Sequence, residues 1–268
     1  MKTAEPQHHN PKAGIVAEKF IRDHLLIYVA AGTLQCFDAA QSYTFSKGEC
    51  FIARKNRLAK YKIDAGKEGF EPIAFCFDEA FLKDYHKKHS PQSKGITPKD
   101  TFIKIKETGL LLNFINSVKP YYNAPYQIEK DFEEVKYEEL LIILLKQQPE
   151  LAGFLFDFGI PEKIDLEEFI QKNFTFNTSL KRFAFLTGRS ISAFKRDFFT
   201  IFNDTPGHWL VQRRLEEAYF LIYEKNQRSC DIYLDLGFEA LSHFSAAFKK
   251  QFGLRPTALT ERKKTTGH

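Results

Sequence analysis

Between Cys230 and Pro256 the chain reads C-D-I-Y-L-D-L-G-F-E-A-L-S-H-F-S-A-A-F-K-K-Q-F-G-L-R-P. No other stretch narrows the fold as far, because a short helix, a Gly-Phe turn and a basic helix follow one another in the order of a helix-turn-helix. Leu180 to Pro206 repeats the plan, with Gly188 at its turn and Phe194, Lys195, Arg196 and Phe198 on its second helix. Between the two units, Thr205 and Pro206 start a long helix through Trp209, Leu210, Arg213, Leu215, Ala218 and Leu221, with proline in the favoured first turn. At about 17 residues this helix spans roughly 25 Å, which sets the units about one turn of DNA apart.

Charge follows the same division. Residues 1–162 hold 22 Lys and Arg against 22 Asp and Glu, whereas residues 163–268 hold 17 against 12, so the net charge of +5 sits wholly in the last 106 residues. A positive excess of this kind suits a segment that faces phosphates. With 268 residues the chain can hold two domains, and 43% apolar residues allow each its own core. No apolar run approaches 18 residues and the amino end lacks the apolar stretch of a secretory signal, so a cytoplasmic protein is expected. Cys36, Cys50, Cys76 and Cys230 form no C-x-x-C pair and read as reduced, mostly buried thiols.

The first half has a different rhythm. From Gly14 to about Asp78, short apolar or alternating runs (L-L-I-Y-V-A, T-L-Q-C-F, C-F-I-A-R, P-I-A-F-C-F) are punctuated by turn residues. Five to seven strands at this spacing predict a small antiparallel barrel or sandwich, with the barrel the favoured reading, whose interior side chains or a ligand can fill. Asp78 caps a helix carrying Phe81, Leu82 and Tyr85; S-P-Q-S-K-G-I-T-P reads as a loop; a helix follows over Leu110 to Val118, and P-Y-Y-N-A-P breaks the chain again. The helix from Glu129 to Gln148 turns apolar on all sides from Leu140 to Leu145 and needs cover on more than one face. Either a second subunit meets Leu140, Leu141, Leu144 and Leu145, or the helix is buried within its own domain. The expected architecture is α+β: an N-terminal cupin-like barrel with helices over 1–150, a linker over 151–162, and an all-α domain of two helix-turn-helix units over 163–268. In that last domain Asp165 caps a helix with Leu166, Phe169 and Ile170 inward, Ser179 caps the next, and Gly188 ends it where the turn excludes a side chain.

On the helix from Ser190 to Phe202, Ile191, Phe194, Phe198 and Phe202 share the core face, leaving Ser190, Ser192, Lys195, Arg196 and Thr200 away from it. On the second, Phe244, Phe248 and Phe252 point inward, with Ser242, His243, Ser245, Lys249 and Lys250 outward or flanking. Arginine and lysine can bond the O6 and N7 acceptors of guanine, and hydroxyls can bond bases or phosphates. Lys249 and Lys250 suit phosphate, which fixes register without reading sequence.

G-F-E-A-L-S-H-F-S-A-A-F-K-K-Q-F-G-L-R-P, F-K-R-D-F, T-P-G-H-W-L and R-R-L-E-E-A together make the last hundred residues similar to the DNA-binding domain of the AraC/XylS family of bacterial transcription regulators. That resemblance implies a sequence-specific activator that recruits RNA polymerase, with Ser192, Lys195 and Arg196 base-facing in the first unit and Ser242, His243 and Ala246 in the second. Two positions depart from the family's pattern: Ala246 stands where arginine is frequent, and Phe199 where a basic residue is common. The first 150 residues resemble the family's regulatory half, which binds a small effector or another protein and commonly forms homodimers through its helices. This half also has some likeness to regulators of bacterial type III secretion, which answer to protein partners.

Two rival readings remain. One is a metal-dependent cupin enzyme fused to a DNA-binding domain, but His24, His86 and His89 form no H-x-H with a following carboxylate, and no phosphate-cradling glycine loop occurs. The other is a DNA-bound scaffold or repressor controlled by a protein partner. No cofactor is expected.

Overall fold

Gly32 sits where one strand ends and the next begins, with φ +79°, and a Cβ there would stand 2.8 Å from the Gly69 carbonyl oxygen. Only glycine can turn this corner so close to another backbone. The computed structural model describes residues 16–92, 99–123 and 127–259. It divides into two units at Gly159–Ile160.

In the first unit, β1 (Val16–Ile21), β2 (His24–Ala31), β3 (Thr33–Phe37), β4 (Ser42–Ser46), β5 (Cys50–Ala53), β6 (Arg57–Asp64), β7 (Glu71–Phe77) and β8 (Phe102–Ile105) form two antiparallel four-stranded sheets. Their orders are β1-β6-β3-β4 and β7-β2-β5-β8. Alternation along the strands sends Ile27, Val29, Phe51 and Phe102 of the second sheet against Leu34, Cys36, Phe45 and Ala59 of the first. Phe45 and Phe51 stack with ring centroids 3.9 Å apart, so side chains fill the space between the sheets. On the opposite face of the second sheet, Leu26, Ile52, Ile73, Phe75 and Phe77 meet the helices. Cover on both faces is why β2 and β5 read as nearly unbroken apolar runs.

Those helices are α1 (Glu79–His89), α2 (Gly109–Val118), α3 (Lys130–Gln147) and the short α4 (Ala152–Leu155). Asp78 caps α1 by accepting the Phe81 N–H at 2.8 Å, and Thr108 caps α2. The expected loop from Ser90 to Pro98 falls largely outside the described residues, as do the expected start at Gly14 and the Ala124–Pro125 end of P-Y-Y-N-A-P. β8, carrying F-I-K-I, was not among the expected strands; it pairs with β5 through Ile52↔Ile103.

The α3 leucines correct one expectation. Leu140, Leu141 and Leu144 are fully buried in the same core as Phe75 and Phe114, and Leu145 packs partly buried against it. The helix is apolar all round because the sheet and its neighbouring helices cover it from several sides, not because these leucines face a second subunit. Residues expected in the linker also take part in this unit. Leu151, Phe154 and Leu155 are core, Phe156 stacks 5.9 Å from Tyr85, and Phe158 lies under the ammonium groups of Lys55 and Lys83 at 5.5 and 5.4 Å.

The second unit is helical throughout its described residues: α5 (Leu166–Asn173), α6 (Leu180–Leu186), α7 (Ile191–Phe202), α8 (Pro206–Tyr223), α9 (Ser229–Ile232) and α10 (Leu241–Phe252). Asp165 and Ser179 cap α5 and α6 through the N–H groups of Glu168 and Arg182. The single Trp209, on α8, packs 4.5 Å from Phe202 and 5.7 Å from Phe198.

Candidate nucleic-acid interface

The turn between α6 and α7 is held from three sides. Gly188 has φ +65°, and a Cβ would come within 2.5 Å of the Glu162 carbonyl. Next to it, Arg189 donates to the carbonyls of Thr187 at 2.7 Å and Ile164 at 2.9 Å, and to Asp197 on α7 at 3.1 Å. The Arg189 bond, assisted by Arg196 and Lys163, keeps the Asp197 carboxyl below the usual carboxylate range. Thr187 is buried and donates to Phe183 and Ala184 within α6. The angle of α7 is therefore set by hydrogen bonds as well as by packing.

On α7, Phe194 and Phe198 are fully buried, while Ser190, Ser192, Lys195, Arg196 and Thr200 are exposed. Two of these have local duties. Ser190 is the N-cap and accepts the Ala193 N–H at 3.2 Å, and the Thr200 hydroxyl donates to the Arg196 carbonyl at 3.1 Å. Arg196 also touches Asp197 at 3.2 Å, an exposed contact that water weakens.

α8 carries a buried cation that sequence reading did not single out. The Arg214 guanidinium donates to the carbonyls of Phe174 at 2.7 Å, Phe176 at 2.8 Å and Gly237 at 3.2 Å, tying the segment before α6 to the second turn. In R-R-L-E-E-A its only trace was an arginine between Leu210 and Ala218, both on the apolar stripe. Gly237 has φ +76°, as its Gly-Phe turn requires, and Leu236 and Phe238 are buried beside it.

α10 repeats α7 at an offset of 50 residues. Phe244, Phe248 and Phe252 stand where Phe194, Phe198 and Phe202 do, and the left-handed C-caps Asn203 and Gly253 correspond as well. Ring spacings repeat too, 5.7 Å from Phe194 to Phe198 and 5.7 Å from Phe244 to Phe248. Ser242, His243, Ala246, Lys249 and Lys250 are exposed and Ser245 is half-buried. His243 lies edge-on to Phe238 at 6.0 Å. Unlike α7, α10 has no side-chain N-cap, since Ala240 occupies that position.

Among the described residues no three His, Cys, Asp or Glu side chains gather where they could hold a metal ion. No helix among them is long and apolar enough to cross a membrane.

A sheet unit followed by paired helix-turn-helix units on one connecting helix defines a two-part helix-turn-helix protein. Residues 24–154 match the family described as the ExsA N-terminal regulatory domain, and residues 183–262 match a helix-turn-helix domain. In these regions the chain is similar to regulators of the AraC/XylS family. It is 22% identical over 229 residues to the HTH-type transcriptional regulator ExsA of Pseudomonas aeruginosa, covering 84% of this chain and 82% of that one. To the virulence regulon transcriptional activator VirF of Yersinia enterocolitica it is 28% identical over 126 residues, 46% of each chain, so that match spans about half the length of the relative. Among solved structures, apo ToxT from Vibrio cholerae aligns over 95% of this chain and 99% of its own at 14% identity, with a TM-score of 0.42.

Proposed function

We propose that this protein is a sequence-specific DNA-binding transcription regulator, an activator, that sets α7 and α10 in successive major grooves. The observation that carries this reading is the 50-residue repeat: two helices keep the same phenylalanine triad inward and leave their hydroxyl, basic and small residues bare. α8, at 18 residues and about 27 Å, is a strut of suitable length for grooves one DNA turn apart. In this reading Ser192, Lys195 and Arg196 meet base edges, as do Ser242, His243 and Ala246, the last through a methyl contact. Lys249 and Lys250 hold phosphates, with Ser190, Thr200 and Ser245 flanking.

The first unit tunes this activity through a small molecule or a protein, in keeping with the regulatory-domain family it matches. Activation is in keeping with the name of the VirF relative, and we infer that it works by recruitment of RNA polymerase. The proposed homodimer forms through the outer face of α3, where Phe132, Val135 and Ile142 are exposed. The protein acts in the cytoplasm. Selection of bound sequences from random double-stranded DNA tests the reading: a recovered motif with two parts about one helical turn apart is expected, and the absence of any preference at every salt concentration overturns it.

A further inference from the structure

Phe199 is 54% exposed on α7, in a chain where the neighbouring Phe194 and Phe198 are sealed in the core. Among the described residues no aromatic ring packs against it, whereas the tilted rings of Phe198 and Phe202 lie 4.4 Å apart. Its position on the helix is specific. Ser192, Lys195, Arg196 and Phe199 follow the i, i+3, i+4, i+7 spacing of a single helical stripe, and Phe199 falls between Lys195 and Arg196 around the axis. The ring is therefore set among the residues proposed to read bases.

The 50-residue repeat supplies a comparison within the chain itself. The counterpart of Phe199 on α10 is Lys249, and the counterpart of Arg196 is Ala246. Cation and apolar group have changed places between the helices, so α7 carries its charge toward the middle of the stripe and its apolar surface one turn further on. A phosphate cannot reward a phenyl ring. In the major groove the apolar feature that base edges offer is the C5-methyl of thymine, and phenylalanine is among the side chains that meet it.

We propose that Phe199 is a specificity-determining residue whose ring rests on the C5-methyl of a thymine beside the base pair met by Arg196. This rests on the DNA-binding reading given above. The exposed phenyl ring and the methyl remove each other from water, and because cytosine lacks the methyl the contact discriminates between the pyrimidines.

The test uses the full chain and the DNA recovered by selection, with each thymine under the first helix replaced singly by deoxyuridine, which removes the methyl and nothing else. At one position the wild-type Kd is expected to rise about fourfold, the effect of exposing one buried methyl group. Phe199→Ala is expected to bind thymine and deoxyuridine duplexes equally there, and Phe199→Leu to retain the difference; the exposed position lets both variants fold. Indifference of the wild type to deoxyuridine at every position, or persistence of the difference in Phe199→Ala, overturns the assignment while leaving the DNA-binding reading intact. Failure of the wild type to select any sequence removes that reading and this assignment together.

Discussion

A Cβ added to Gly237 would stand 3.0 Å from Cζ of Arg214, because the buried guanidinium passes directly beneath the second helix-turn-helix turn. The same Cβ would meet the Thr175 carbonyl oxygen at 2.6 Å, and the backbone already lies at φ +76°. Gly237→Ala is thus expected to destabilise the second unit by about 2 kcal/mol or more, from left-handed strain together with displacement of the Arg214 bonds. Fluorescence of Trp209, the chain's one tryptophan and a residue of this unit, reports the denaturant midpoint. An unchanged midpoint would mean that the turn yields without cost.

Leu140→Ala and Leu144→Ala remove side chains with no exposure from the core of the first unit. Each is expected to cost about 2–5 kcal/mol in the transition of that unit, seen by far-ultraviolet circular dichroism. The Trp209 transition should stay where it is. A change in oligomeric mass with no loss of stability would instead place these leucines at a subunit boundary.

Arg196 and Lys249 are both exposed and basic, yet they are expected to behave differently. Arg196→Ala should relax preference at a single base pair, losing roughly 1–3 kcal/mol there. Lys249→Ala should weaken all sequences alike and lower the slope of log K against log salt by about one contact. Sequence selection and a salt titration on each variant distinguish the two; an unaltered motif for Arg196→Ala would take that residue out of the base-reading set.

His24 is 1% exposed, its Nδ1 accepting the Lys55 N–H at 3.2 Å and its ring 5.2 Å from Phe154. Burial, with Lys55 and Arg54 nearby, pushes its pKa down from 6.5 to about 3. A histidine depressed in the fold takes up its proton more readily when unfolded, so its contribution is complete above pH 6.5 and is lost as pH falls toward 3. Stability of the first unit should decline through that window, on the order of a few kcal/mol by its lower end. His24→Asn, which keeps an acceptor for the Lys55 amide, should flatten that part of the profile in urea titrations run at each pH. An identical slope in the variant would assign the loss to other groups.

Local signals carried much of this fold. Asp78, Asp165 and Ser179 cap their helices as short side chains with an oxygen at the right distance do. The inward phenylalanines of α7 and α10 were legible from their spacing alone, as were the two turn glycines. What escaped depends on partners distant in sequence. F-I-K-I is only four residues long, and its strand exists because β5 offers an edge at Ile52 and Phe51. α3 has no polar face to orient it between Leu140 and Leu145, so periodicity could not tell a subunit boundary from an interior. Arg214 looked like any helical arginine until the carbonyls of Phe174, Phe176 and Gly237, from two remote segments, closed around it. Of the outward residues, sequence spacing gave direction but could not reveal that Ser190 and Thr200 spend hydroxyl capacity on their own helix.

The phenylalanine triads anchor each helix from behind, so what stands in front is free to vary. Exchanging Lys195, Arg196 and Phe199 for their counterparts Ser245, Ala246 and Lys249, and the reverse, leaves Phe194, Phe198, Phe244 and Phe248 untouched. The scaffold thus behaves like a lock barrel with interchangeable pins: its address can be rewritten, by evolution or by hand, without renegotiating how the domain folds.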